Sequence, residues 1–489
     1  MSIQIEPPTP GYRKWLWIAG ACVVGLVVVL AAAKVVPAMI ESARSCGAGV
    51  VRSGPDDECV GVTDGGKVFA PELADIEQRI LNENRAVQDS GEPYVSVVHL
   101  SPMTPGETDE GIVTMSGIRH RLEGAHLAQL AANRTAIWGN TPKIKLLLAN
   151  PGSDFGQWET AVEKIEARRA ADGIVAVTGI SFSVQNAVRA IERLSELQIP
   201  TVGSTLTADD LPILRGFLRV SPTAAEHART AAEYLSTRSE RILIVRDDSP
   251  IDHYGRTLAE AFGASFPDDP QRFAGPVEGY DSEIGSVANT FQFMMPNICQ
   301  SAPDTIYFAG RATHALTFLT ALAERRCRET PIRVVTGDDM AYYRLSESPA
   351  RVALETGVSV LYTGLVHPQA WQDHQERFNM HSVAQFSPDC QGPICYREFS
   401  DDSLDDFAAV MEHDAVVTAV QAIRQAAGYD GTTVESDQVL QAMKRLHGAG
   451  AVRGASGILS FDQNGLPTDK PIPILEALDG APPRYIGLQ

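Results

Sequence analysis

The sequence predicts an α/β protein of two lobes, each a parallel sheet covered by helices, preceded by one N-terminal transmembrane helix. Three observations carry this expectation. From Tyr94 onward, short β-branched runs alternate with helical patterns, as parallel strands joined by right-handed crossovers require. Eight such runs exceed one compact sheet, so they divide into two. Trp15 to Ala33 carries no charge and, as a helix, is long enough to cross a bilayer core of about 30 Å. The 489 residues carry a formal charge of −20, which leaves no dense basic surface for nucleic-acid phosphates. With 44% apolar and 21% charged residues, wholesale disorder is also set aside.

Arg13 and Lys14 directly precede the apolar run, so the positive-inside rule keeps residues 1–14 cytoplasmic and makes 15–36 the anchor. Trp15 and Trp17 sit where interfacial aromatics belong, and Lys34 can snorkel at the far end. The rest of the chain then lies on the extracytoplasmic side of the cell membrane. A cleaved signal peptide is the rival reading, with Ala31-Ala32-Ala33 as the cleavage site. The run is longer than the usual signal-peptide core of about 7–15 residues, which favours the uncleaved anchor.

Of the seven cysteines, Cys22 falls in the anchor. Cys46, Cys59, Cys299, Cys327, Cys390 and Cys395 fall outside it, an even number in an exported domain, which suggests disulfides. Nearest neighbours pair as 46–59, 299–327 and 390–395, one of several connectivities; free buried thiols are the alternative. No Cys-x-x-Cys or spaced His pair accompanies them, so no metal site is expected.

Residues 37–90 read as a Gly-, Ser- and Asp-rich stalk followed by a packing helix, with Leu73, Ile76, Ile80 and Val87 at helical spacing. The strand runs are Val95–Leu100, Ile144–Leu148, Ile174–Val177, Ile199–Val202, Ile242–Val245, Thr305–Ala309, Ile332–Val335 and Val358–Tyr362. Segment 365–403 reads as an insertion near the cleft mouth. Ligands of open α/β sheets bind beyond the carboxyl ends of the strands. Those ends carry Ser101 and Thr104, Thr178 to Ser183, Ser204 to Thr207, Asp247 to Tyr254, Gly310-Arg311 and Asp338-Asp339. Hydroxyls at three ends and charges at the other three suit a polar or zwitterionic small molecule.

The stretch GIVAVTGISFSVQNAVRAIERLSELQIPTVGSTLTADDL (173–211) is followed by FLRVSPTAAEHARTAAEYL, RILIVRDDSPIDHYGRTLAEAF and DTIYFAGRATHALTFLTAL. In this order and spacing the chain resembles the type 1 periplasmic binding proteins, the group of Leu/Ile/Val-binding proteins of ABC transporters. The resemblance runs from Tyr94 to the C-terminus, and GILSFDQNGLPTDKPIPILEAL is similar to the family's final strand pair.

The resemblance implies a Venus-flytrap of two lobes around one cleft. Lobe 1 would take residues 91–220 and 365–456, and lobe 2 residues 221–364 and 457–489. Crossovers would fall near 219–223, 363–367 and 455–459. It places Ser181 and Thr207 on a ligand's α-carboxylate, Ser183 in the same turn as Ser181, and Thr205 as a backbone contact. Tyr254 matches the family's Tyr-Gly, and Asp338 or, without a gap, Asp339 matches its ammonium-binding acid. Arg311 stands where several members place an aromatic, which favours a more polar or anionic ligand.

The residues also admit plainer roles. Ser181 and Thr207 suit helix caps, Asp338-Asp339 a solvated turn, Arg311 a surface ion pair and Tyr254 packing at a helix start. No nucleophile elbow, Walker loop or His-Glu-x-x-His occurs, so no enzyme and no cofactor is expected. The expected role is an extracytoplasmic protein that closes on an amino acid or similar polar solute and delivers it to an ABC permease. A ligand-sensing ectodomain acting through a signalling partner is the alternative.

Overall fold

The computed structural model describes residues 17–19, 44–104, 114–267, 269–400, 404, 406–427 and 434–488. The expected cytoplasmic tail and nearly all of the expected anchor, Cys22 included, lie outside the described residues. Among the described residues no helix is long and apolar enough to cross a membrane.

Two large sheets organise the chain. The strands are β1 Ser45–Gly47, β2 Val50–Ser53, β3 Glu58–Thr63, β4 Tyr94–Leu100, β5 Lys143–Asn150, β6 Ile174–Thr178, β7 Thr201–Gly203, β8 Phe217–Arg219 and β9 Ile242–Asp247. They continue as β10 Glu278–Tyr280, β11 Thr305–Ala309, β12 Ile332–Thr336, β13 Val358–Thr363, β14 Val452–Arg453, β15 Ile458–Phe461, β16 Pro467–Thr468, β17 Pro473–Ala477 and β18 Arg484–Leu488. The first sheet runs β1-β2-β3-β5-β4-β6-β7-β8 and the second β10-β9-β11-β12-β13-β17-β18. From β5 to β8, and from β10 to β13, the pairings are parallel. All eight β-branched runs of the sequence become strands of these sheets.

The principal helices are α1 Ala74–Asp89, α2 Met115–Arg134, α3 Trp158–Asp172, α4 Gln185–Glu196, α5 Ala224–Leu235, α6 His253–Ala264, α7 Val287–Ser301, α8 Ala312–Ala323, α9 Ala408–Ala427 and α10 Ser436–Met443. In the first lobe α2 and α9 pack so closely that a Cβ on Gly124 would run into the Ala409 carbonyl. In the second, α5 and α6 cover one face of the sheet, where Phe262 stacks on Tyr307 at 3.7 Å. Phe291 and Phe318, from α7 and α8, meet Phe308 on the other face. Burying strands on both faces explains why their sequences are continuously apolar.

The expected stalk differs in its described part. Residues 45–63 are no stalk: β1–β3 extend the first sheet antiparallel, with Gly61, Val62 and Thr63 of β3 against Asn150, Ala149 and Leu148 of β5. Glu58 fastens this hairpin to the turn after β5, accepting the Ser153 N–H and the hydroxyls of Ser153 and Thr104. A half-buried glutamate acceptor and the buried Val60 and Val62 of β3 give the segment a lobe to belong to. The helix expected after it is α1, with Ile76, Ile80 and Val87 buried.

The described chain passes between the two sheets three times, at 220–223, after Thr363 and at 469–472. The last passage comes later than 455–459. β15 joins β14 and β16 in a small sheet, with Leu459 and Phe461 buried and the Phe461 N–H on the Leu446 carbonyl. That pairing holds 458–468 beside the first lobe, and only β17, with β18, returns to the second sheet. Within the passage, buried Lys470 donates to Ser456, whose hydroxyl donates to Asp414 of α9. Asp414 also accepts the N–H groups of Ala455 and Ser456.

Cys46–Cys59, Cys299–Cys327 and Cys390–Cys395 are disulfides. The described part of the segment expected as an insertion, residues 365–400, packs on the first lobe, where Trp371 donates to the Ala455 carbonyl and Tyr396 to Glu123 of α2.

Candidate functional site

β4, β6 and β7 end side by side in the first sheet and deliver three turns to its carboxyl edge. After β6, Gly179 (φ 91°) turns so close to His99 of β4 that a Cβ would stand 2.8 Å from its Nδ1. That conformation belongs to glycine. The turn brings Ser181 into the interior, 2% exposed, and its hydroxyl makes no hydrogen bond among the described residues. Ser101, Thr178 and Ser204 are buried with equally unpartnered hydroxyls. Ser183 and Thr205 instead join the turns: Ser183 Oγ accepts the Ala208 N–H at 3.2 Å, and the Thr205 hydroxyl donates to the Ser181 carbonyl at 2.7 Å. Thr207 is buried, and its carbonyl accepts the Ala224 N–H at 2.6 Å. Neither Ser181 nor Thr207 caps a helix; the residue before α4 is Val184, which offers no side-chain cap.

The second lobe supplies a wall of charges. Asp252 begins α6 by accepting the Tyr254 N–H, and its two oxygens take Arg311 Nε at 2.6 Å and Nη2 at 2.8 Å. The guanidinium lies over the Tyr254 ring, 4.7 Å from its centre. Asp339 accepts the Ala312 N–H at 2.8 Å and stands 3.8 Å from Arg311 Nη1. The Tyr254 hydroxyl donates to Asp338 at 3.1 Å and accepts the Asp339 N–H at 3.3 Å. It reaches them because residue 337 is glycine, where a Cβ would strike that hydroxyl. Asp338, Asp339 and Arg311 are all buried, so the solvated-turn and surface-pair readings do not describe them.

Burial sets the electrostatics. It pushes Asp338 up to about 6, with the Tyr254 hydroxyl and Arg311 pulling the other way. Burial also raises Asp339, against the pull of Arg311. Arg311 itself is held above its ordinary value: burial disfavours the cation, but Asp252 and Asp339 more than offset it.

The two walls touch. The His253 N–H donates to the Ser183 carbonyl, and its ring bridges Asp210 at 2.8 Å and Gln185 at 3.2 Å. A polar cavity of about 600 Å³ opens between the lobes, lined by Thr114, Ser116 and His120 on one side and Tyr342, Tyr343 and Ser348 on the other. Two larger depressions, about 770 and 790 Å³, lie away from the strand ends, at the β8 edge and on the α5–α6 surface. Among the described residues no group of His, Cys, Asp or Glu could hold a metal ion.

One residue of the site escapes the sequence reading. Arg121, in the interior of α2, is 1% exposed and lies between the rings of Phe182 (4.8 Å) and Tyr342 (5.1 Å), one from each lobe. Arginine within a helix reads as solvated surface; the glycines at 117 and 124, sharing its face, are the signal of close packing there.

No protein-family model matches the sequence, and no curated protein matches it. Solved structures do. A leucine-binding protein from Thermotoga maritima is 16% identical with a TM-score of 0.59, the match covering 81% of this chain and 98% of that one. An ABC transporter substrate-binding protein from Desulfitobacterium hafniense, in complex with Leu, is 20% identical with a TM-score of 0.56, covering 81% and 100%. A solute-binding protein from R. palustris, in complex with 4-hydroxybenzoate, is 16% identical with a TM-score of 0.58, covering 81% and 97%. At these identities the likeness concerns the fold. Two parallel-stranded sheets linked three times, with their strand ends facing one cleft, give this chain the type 1 periplasmic-binding-protein fold of those substrate-binding proteins.

Proposed function

We propose that the protein is an extracytoplasmic solute-binding protein that closes its lobes on a small polar ligand and hands it to an ABC importer. The observation that carries this reading is the set of four buried hydroxyls, Ser101, Thr178, Ser181 and Ser204, left without partners among the described residues at adjoining strand ends. Leaving a buried polar group unpaired costs about 1–3 kcal/mol, a cost a ligand removes by bonding to it. Ser181 contacts the ligand directly, Ser183 and Thr205 hold the turns in register, and Thr207 sits at the join with the second lobe. Tyr254, Arg311 and Asp339 form the opposing wall. Solved structures of this fold hold leucine and 4-hydroxybenzoate, both carboxylates.

In this reading no bond is made or broken. Closure is a hinge motion at the three passages between the lobes, on the microsecond-to-millisecond scale. Residues 15–36 tether the protein to the membrane, with the lobes outside, as the uncharged run and Arg13-Lys14 support. The test is thermal denaturation of the purified full chain with amino acids, organic acids, amides and sugars. A ligand at about 100 times its Kd adds about 2.7 kcal/mol of stability. If no compound of any class raises the melting temperature, the reading fails.

A further inference from the structure

We infer that the ligand is an organic acid without an α-ammonium group, and that Arg121 receives its carboxylate. The inference rests on the solute-binding reading and narrows it. Arg121 Nε and Nη2 are sealed from solvent and make no hydrogen bond among the described residues. Its neighbours on α2 are served: Arg119 faces Glu123, and His120 holds Asp406. Among the described residues Arg121 has only the two rings, which stabilise a cation but leave Nε and Nη2 without hydrogen bonds. An isolated buried guanidinium is costly unless something pairs it. Nε and one Nη form the edge that receives a carboxylate through two parallel hydrogen bonds.

The surroundings agree. Phe182 follows Ser181 directly in the turn after β6, so the guanidinium stands on the wall that also carries the idle hydroxyls. Tyr342 closes over it from the second lobe, within the same turn as Asp338 and Asp339. The acids around Arg311 are already engaged, whereas buried Asp247 keeps Oδ2 without a hydrogen bond among the described residues, 3.9 Å from His314 Nδ1. Asp252 holds Arg311 with both oxygens, Asp339 divides its oxygens between the Ala312 N–H and Arg311, and Asp338 takes the Tyr254 hydroxyl. One wall thus offers an unpaired cation with hydroxyls, and the other offers carboxylates whose charge is largely answered.

The test uses the purified full chain and matched sets: leucine, isocaproate and leucinamide; phenylalanine, hydrocinnamate and phenylalaninamide. The acids should bind at least about tenfold tighter than their amino acids and amides, the scale of one charge-assisted hydrogen bond. Arg121→Gln should weaken acid binding by about a hundredfold, and Arg121→Lys by less, because the charge survives without the fork. Ligand-free Arg121→Gln should melt no lower than the parent, since it removes an unpaired buried charge; a purely structural arginine would lower it. Amino acids binding tighter than their acids overturn the inference while leaving solute binding intact. So does acid binding that survives Arg121→Gln within about threefold. The ranking of the sets on the unmodified chain decides the matter even if the variant does not fold. Silence from every compound class overturns this inference and the solute-binding reading together.

Discussion

The two walls of the cleft are built on opposite plans. The first-lobe wall is chemically unfinished: among the described residues Ser101, Thr178, Ser181 and Ser204 keep idle hydroxyls, and Arg121 keeps an unpaired fork. The second-lobe wall is closed on itself, with Asp252, Arg311, Asp339, Tyr254 and Asp338 joined in one continuous network. Most of the groups that cost stability until a ligand arrives are gathered on one side, Asp247 Oδ2 and the Tyr342 hydroxyl being second-lobe exceptions. Groups that stabilise each other without a ligand are gathered on the other. The first lobe is therefore suited to recognise, and the second to cover.

The strongest way to break this contrast is Asp252→Ala. It strips Arg311 of its bidentate partner inside the protein, and Asp339 at 3.8 Å recovers only part of the loss. Removing one member of a buried pair costs roughly 3–5 kcal/mol. Urea unfolding should show a loss of about 3 kcal/mol, whereas Arg121→Gln should show none. A loss below about 1 kcal/mol for Asp252→Ala would erase the distinction between the walls.

A second handle is pH. Burial raises the Asp338 carboxyl to about 6 in the folded chain, above its unfolded value of 3.8. Between those values the folded state binds more proton than the unfolded state, so stability falls as pH rises from about 4 to 6. The full effect is on the order of 2–3 kcal/mol. Asp338→Asn should flatten that part of the stability curve, read from melting temperatures across the range. An unchanged slope in the variant would assign the effect elsewhere.

The smallest effects sharpen the first-lobe half. Ser181→Ala and Ser204→Ala remove hydroxyls that bond to nothing in the described fold, so ligand-free stability should stay within about 1 kcal/mol or rise. The same changes should weaken ligand binding by about tenfold. A clear loss of ligand-free stability would show that those hydroxyls are structural.

The strands were the legible part of the sequence because they are buried on both faces: Ile144–Leu148 and Ile332–Val335 carry apolar runs that fit no other place. The hairpin 45–63 was not legible. Its Gly-, Ser- and Asp-rich sequence has the composition of a linker, and its order comes from pairing with β5, the Cys46–Cys59 bridge and Glu58. The turn residues from Ser181 to Thr207 could be located from strand ends, but which hydroxyls stay idle depends on partners distant in sequence, such as Ala208 for Ser183. Arg121 was hidden for a related reason. Glycines 117 and 124 mark close packing on its face, but the two rings that enclose it, Phe182 and Tyr342, come from turns distant in sequence.

The Asp414–Ser456–Lys470 chain gives the last passage between the lobes a mechanical character. One end is clamped to α9, and Pro471 and Pro473 fix two of the backbone angles that follow. Such a passage acts as a stiff axle with its bearing in the first lobe. Torque applied to β17 is transmitted rather than absorbed, so the second lobe should swing along one arc. Spin labels placed across the cleft would then report two narrow distances instead of a broad spread.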